Sequence, residues 1–208
     1  MILLAMLIVS QRAMAWGNWG HHIAAYIAEK HLTPEAKEKC QHYLKHNLPH
    51  YSSWQDYWRH SDPFKEISFW HSSYVNKKFD VIGYKGDETR DAAYQVNRII
   101  KEMEKGKYKQ MSDSLVAVNL KLLIHMVGDM HCPSHIVYTK DFGMAGYSIK
   151  VKGKKCGRHK FWDASPQYMH PKWKADRFVK AYDTYSPKEI KKICKGNPYK
   201  WSVQNANN

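Results

Sequence analysis

The segment from Ser114 to Met130, SLVAVNLKLLIHMVGDM, is the most apolar of the helical stretches in the chain, yet His125 and Asp129 stand four residues apart near its end. A helix here puts both side chains on one face, and Pro133 marks its end. A helix this apolar belongs in a core, so it carries a histidine and a carboxylate inside with it. Such groups need partners when buried, and a bound cation satisfies both at once.

The same spacing recurs in HKFWD, where His159 and Asp163 are again four apart. His135 follows Pro133, where the chain can turn back toward the first pair. Upstream, SWQDYWR offers Asp56 and Arg59 one turn apart, and His71 lies fifteen residues beyond Asp56. Histidine nitrogen combined with carboxylate oxygen suits zinc, with manganese second. No Cys-x-x-Cys occurs, which argues against a cysteine-based zinc knuckle.

The N-terminal stretch reads differently. Ile2 to Val9 is apolar but too short to span a bilayer, and Ala13-Met14-Ala15 has the small-x-small pattern of a cleavage site. Residues 1–15 are therefore expected to be a signal peptide, and residues 16–208 an exported single domain. The net charge is +14, and removing residues 1–15 takes away only Arg12 among charged residues, leaving +13. A field of that sign gathers anions such as nucleic acid, nucleotides or acidic surfaces. The four cysteines form an even set, which in an exported chain allows two disulfides in three possible pairings; Cys132–Cys156 with Cys40–Cys194 is the expected one, and a free Cys132 thiolate is the alternative.

The periodicity predicts an all-α class: helices within Trp16–Asn47, with a start at Thr33-Pro34-Glu35, and over Tyr51–Ser61, Asp87–Lys105, Ser114–Met130, His159–Ser165, Trp173–Tyr182 and Pro187–Cys194. FWHSSYVN is expected to be extended or loop-like. Asp141–Lys155 is expected to hold a loop and a small hairpin. The end, WSVQNANN, suggests no element.

Taken in order, Trp16-Gly17-x-x-Gly20-His21, Ser53-Trp54-x-Asp56-x-x-Arg59, Trp70-His71, His125-x-x-x-Asp129-x-x-x-x-x-His135 and His159-x-x-x-Asp163 resemble the trinuclear-zinc, single-strand-specific nucleases of fungi and plants, whose fold is shared with bacterial zinc phospholipase C. The resemblance runs from Trp16 to Asp163 and implies three zinc ions. One would be held by Asp56, His71, His125 and Asp129. A second would share Asp129 and take His21 together with the free α-amino nitrogen and carbonyl oxygen of Trp16. The third would take His135, His159 and Asp163.

The implied activity is hydrolysis of single-stranded DNA and RNA by a zinc-bound hydroxide attacking phosphorus, with 3′-nucleotidase activity beside it. Asp56 would orient the water, and Arg59 would stabilise phosphoryl charge. Tyr74 and Tyr147 are candidates for stacking on unpaired bases. The expected protein is a monomer with no stable membrane association. Phospholipase C activity on lipid headgroups is the first alternative, and a non-catalytic zinc- or nucleic-acid-binding protein the second. Only 45 residues follow Asp163, fewer than the resemblance leads one to expect.

Overall fold

The computed structural model describes residues 17–139, 148–151 and 153–206. The class is mainly helical, as the periodicity predicts. Among the described residues the ten α-helices are α1 Asn18–Lys30, α2 Pro34–Leu44, α3 Leu48–Tyr51, α4 Trp54–Trp58, α5 Ala92–Met103, α6 Asp113–Met130, α7 Arg158–Met169, α8 Ala175–Tyr182, α9 Pro187–Ile193 and α10 Pro198–Ala206.

Helix α6 is the axis. Ser112 caps it by accepting from the Leu115 amide at 3.3 Å, and Asp113 adds a negative charge in its first turn. Its inner face carries Leu122, Met126 and Met130, which form one core with Ala92, Ala93, Val96 and Ile99 of α5. Burying each of the larger side chains contributes roughly 1.5–3 kcal/mol. On the other side α6 meets α1, α2, α3 and α4. Thr33 starts α2, accepting from the Ala36 amide at 3.2 Å with Pro34 in the first turn, as its sequence indicates. Asp183, just past α8, ties that helix to the end of α1 through His31 at 2.6 Å and Lys30 at 3.0 Å.

Two features differ from the sequence expectation. FWHSSYVN is not extended throughout: Lys65–His71 coils as a 3-10 segment, and only β1, Ser73–Val75, is a strand. β1 pairs in parallel with β2, Ile136–Tyr138, in the register Ser73↔Ile136. The C-terminal end is also ordered. α10 packs on α5, its buried Ser202 lies 2.9 Å from the Ser73 hydroxyl, and the Ala206 carbonyl accepts from Tyr138 at 2.8 Å.

The expected hairpin is present as β3, Ser148–Val151, and β4, Lys154–Gly157, with Gly153 at φ +79° in its turn; residues 140–147 lie outside the described residues. Neither expected disulfide forms. All four thiols are free, with Cys132 buried, Cys40 and Cys156 partly buried and Cys194 exposed. No described helix is long and apolar enough to cross a membrane.

Asp91 joins the strand pair to the helices. Its carboxylate caps α5 through the Ala93 amide at 2.8 Å and also accepts from the Tyr74 amide at 2.8 Å and the Ser73 hydroxyl at 3.1 Å. Burial pushes it up to about 6 against those hydrogen bonds. A carboxyl whose folded-state value lies above its unfolded value binds more protons when folded, so its contribution to stability falls as pH rises from about 4 to about 6. Relative to Asp91→Asn, the wild-type protein is expected to lose about 2–3 kcal/mol across that window. Denaturant titrations at pH 4 and pH 7 measure this. A pH-independent difference between the two proteins would contradict it.

Candidate metal centre

Asp129 occupies the last turn of α6 with no solvent exposure. Each of its carboxylate oxygens faces a different histidine: Oδ1 lies 3.2 Å from Nε2 of His21, and Oδ2 lies 3.2 Å from Nε2 of His125. The two rings stack at 3.9 Å between centroids. His21 reaches this point from α1 because α6 carries Gly128 there. A β-carbon at Gly128 would meet the His21 ring nitrogen at 3.2 Å, so the missing side chain sets how closely the helices approach.

Asp56, on the short helix α4, faces the same space. Its Oδ1 is 3.3 Å from Nε2 of His71, and its Oδ2 is 3.9 Å from Nε2 of His125. The Arg59 guanidinium sits one turn on, 3.5 Å from Asp56 Oδ1. His71 ends the 3-10 segment just before β1, and His135 directly precedes β2, so the parallel strand pair sets these two histidines side by side. Nδ1 of His135 bonds to the His71 carbonyl oxygen, and His135 Nδ1 is 3.8 Å from Asp129 Oδ2. His159 and Asp163 lie on α7, Nε2 to Oδ2 at 3.3 Å, with the His159 ring 4.8 Å from that of His135. The eight expected ligands among the described residues therefore converge on one place. Trp16 lies outside the described residues. Its neighbour Gly17 donates to the Asp163 carbonyl at 2.7 Å, and a β-carbon there would be 2.8 Å from that oxygen.

The donor atoms are poorly satisfied by one another. Among the described residues, neither oxygen of Asp56 or Asp129 accepts a hydrogen bond, and Nε2 of His71, His125 and His135 makes none. Such groups are costly when buried. Ligands around a tetrahedral zinc at about 2.0–2.2 Å stand roughly 3.3–3.6 Å apart, and the His–Asp pairs here, at 3.2 to 3.9 Å, lie around that spacing. Three sets of ligand atoms, His21–Asp56–His125, His71–His125–Asp129 and Cys132–His135–Asp163, each lie within 4.8 Å of one another. The residues fit a cluster of divalent cations.

The electrostatics agree. Burial pushes Asp129 up, but the surrounding His135, His125 and His21 rings overcome it and hold the carboxyl well below its ordinary value. Burial lowers His71 and His135, keeping them in the neutral form that ligates a metal. Burial and the nearby carboxylates Asp129 and Asp56 push Asp163 up to about 8, a strain that a cation would relieve.

Outer partners hold the rings in place. Nδ1 of His125 lies 2.7 Å from the Ser52 carbonyl oxygen, which fixes Nε2 as the atom facing the carboxylates. Gln55 donates to the Ile67 carbonyl at 3.0 Å and sits 3.2 Å from Nδ1 of His71. Gln55, Gly128 and Ser134, whose hydroxyl is 3.4 Å from Asp163 Oδ1, escaped the sequence reading, because a residue that only supports a ligand has no diagnostic spacing of its own. Tyr74 is partly buried and packs against Tyr84 at 5.5 Å, while Tyr147 lies outside the described residues.

A mainly helical domain whose core helix brings a buried carboxylate into a histidine-rich cluster has the residues of a candidate metal centre. The chain belongs to the S1/P1 nuclease family, whose family model matches residues 16–207. It is similar to nuclease S1 of Aspergillus oryzae, with 26% identity over 175 residues covering 77% of this chain and 58% of that protein. It is also similar to nuclease P1 of Penicillium citrinum, with 23% identity over 193 residues covering 88% of this chain and 68% of that protein. The chain thus spans little more than half the length of nuclease S1.

A cation that binds only the folded chain stabilises it by mass action. Metal-stripped protein is expected to gain about 2.7 kcal/mol at a zinc concentration a hundred times the dissociation constant of a single site. His125→Ala and Asp129→Ala should lose most of that gain. Thermal unfolding with and without zinc checks this, and a melting temperature indifferent to zinc and to chelator would contradict the assignment.

Proposed function

We propose that the chain is a zinc-dependent phosphodiesterase that hydrolyses single-stranded DNA and RNA, with 3′-nucleotidase activity at the same centre. The observation that carries this reading is the arrangement around Asp129, whose two oxygens face two different histidines at zero exposure. This arrangement supports a reading in which Asp129 would serve two cations, one with each oxygen. The family membership supplies the reaction class.

Asp56, His71, His125 and Asp129 would hold one zinc. Asp129, His21 and the processed terminus at Trp16 would hold a second, and His135, His159 and Asp163 a third. When bound, zinc supplies Lewis-acid polarisation of phosphoryl oxygen and brings the ionisation of water near pH 7. The side chains do the rest. Burial pushes Asp56 up, but its His71 and His125 neighbours overcome this and hold it in the charged form, so it would accept a hydrogen bond from the attacking water and orient it. Arg59 lies at the edge of the centre with its side chain 15% exposed, where it can move from Asp56 to the phosphoryl oxygens as their charge develops. The net charge of +13 left after residues 1–15 and their one charged residue, Arg12, are taken from the +14 of the full chain draws the polyanion toward the site.

Residues 1–15 are, on this reading, removed as a signal peptide during export. A residue left in front of Trp16 would turn its α-amine into a poorly coordinating amide.

Protein beginning at Trp16 and loaded with zinc is expected to cut single-stranded DNA and RNA, and Asp129→Ala to reduce kcat on the order of a thousand-fold. Parallel assays on phosphatidylcholine vesicles and on single-stranded DNA measure this. Cleavage of the lipid alone, or DNA binding without cleavage by the zinc-loaded protein, would overturn the proposal.

A further inference from the structure

Cys132 is buried to zero exposure in the turn that links Asp129 to His135. Its amide donates to the Asp129 carbonyl at 2.9 Å, and its own carbonyl accepts from the His135 amide at 2.9 Å. The turn therefore holds the thiol between two residues of the metal centre. Its Sγ, the imidazole of His135 and the carboxyl of Asp163 offer ligand atoms within 4.8 Å of one another. Sγ lies 3.0 Å from the Ser134 hydroxyl, and that same hydroxyl reaches Asp163 Oδ1 at 3.4 Å. Nε2 of His135 is buried in the same corner and makes no hydrogen bond among the described residues. A buried histidine nitrogen without a hydrogen bond, next to a thiol and a carboxyl, is a donor set that a cation would satisfy.

We propose that Cys132 is a metal ligand: its thiolate joins His135 and Asp163 in the third site, which becomes a mixed sulfur, nitrogen and oxygen centre. The inference rests on the metal centre proposed above and refines its third site. On binding, the thiol gives up its proton to solvent and one metal–sulfur bond forms, with no change in oxidation state. The chemistry that follows is specific. A thiolate favours zinc and softer thiophilic ions such as cadmium over manganese or magnesium. Binding of Sγ to a metal also makes a bridge from Cys132 to Cys156 incompatible with a loaded third site.

Cobalt(II) substitution tests this directly, because sulfur bound to cobalt adds a charge-transfer absorption in the near ultraviolet that nitrogen and oxygen ligands do not give. The metal-stripped full protein is titrated with cobalt alone, as wild type, as Cys132→Ser, and as a triple variant with Cys40→Ser, Cys156→Ser and Cys194→Ser. The near-ultraviolet band is expected in the wild type and in the triple variant, which keeps only Cys132, and is expected to be lost in Cys132→Ser while the visible cobalt bands remain. The wild type and the triple variant decide the matter even if Cys132→Ser does not fold. Visible cobalt bands without the near-ultraviolet band in the wild type would overturn the assignment of Cys132 and leave the metal centre standing. A protein that binds no cobalt would overturn both.

Discussion

The structure depends on a carboxylate being placed where water cannot reach it. Asp129 sits in the last turn of α6 with no exposure, its oxygens accepting no hydrogen bond among the described residues and facing histidine rings on several sides. Isolated burial of such a charge is costly, and half-satisfied polar clusters are worse than an apolar core. The fold tolerates the arrangement by surrounding it with donors from five separate parts of the chain. α1 brings His21, α4 brings Asp56, the 3-10 segment before β1 brings His71, the turn after α6 brings His135, and α7 brings Asp163. Outer hydrogen bonds donated by Nδ1 of His125 to the Ser52 carbonyl and by Nδ1 of His135 to the His71 carbonyl then orient the rings. A cluster of divalent cations, as proposed, would supply the positive charge that satisfies these donors.

Much of this was legible in the residues. His125 and Asp129 share a face because four residues make about one helical turn, and the same rule places His159 beside Asp163. Thr33 caps α2 as its sequence indicated, its side chain accepting from the Ala36 amide three residues on. What could not be read were relations between segments distant in sequence. β1 and β2 are three residues each, too short for alternation to show, yet their parallel pairing is what brings His71 to His135. α10 has only a weak apolar stripe, and its partners Ser73 and Tyr138 lie more than sixty residues away. The place of Gly128 is intelligible only once α1 is seen to cross α6 at that point.

The expectation for cysteines shows a second kind of limit. An even number in a chain read as exported suggested bridges, but parity says nothing about neighbourhood. Cys132 is enclosed in the turn between Asp129 and His135, whereas Cys156 sits on β4 with its Sγ 3.5 Å from the Gly157 carbonyl. The thiol's surroundings are those of the metal centre rather than those of another cysteine.

The central claim is that one carboxylate organises several cations. X-ray diffraction from crystals of the processed protein grown with zinc, recorded on both sides of the zinc absorption edge, tests it most directly. The expected result is three anomalous peaks per chain, two of them flanking Asp129 and the third near His135 and Asp163. A map with no anomalous density at Asp129 in zinc-saturated crystals would contradict the account.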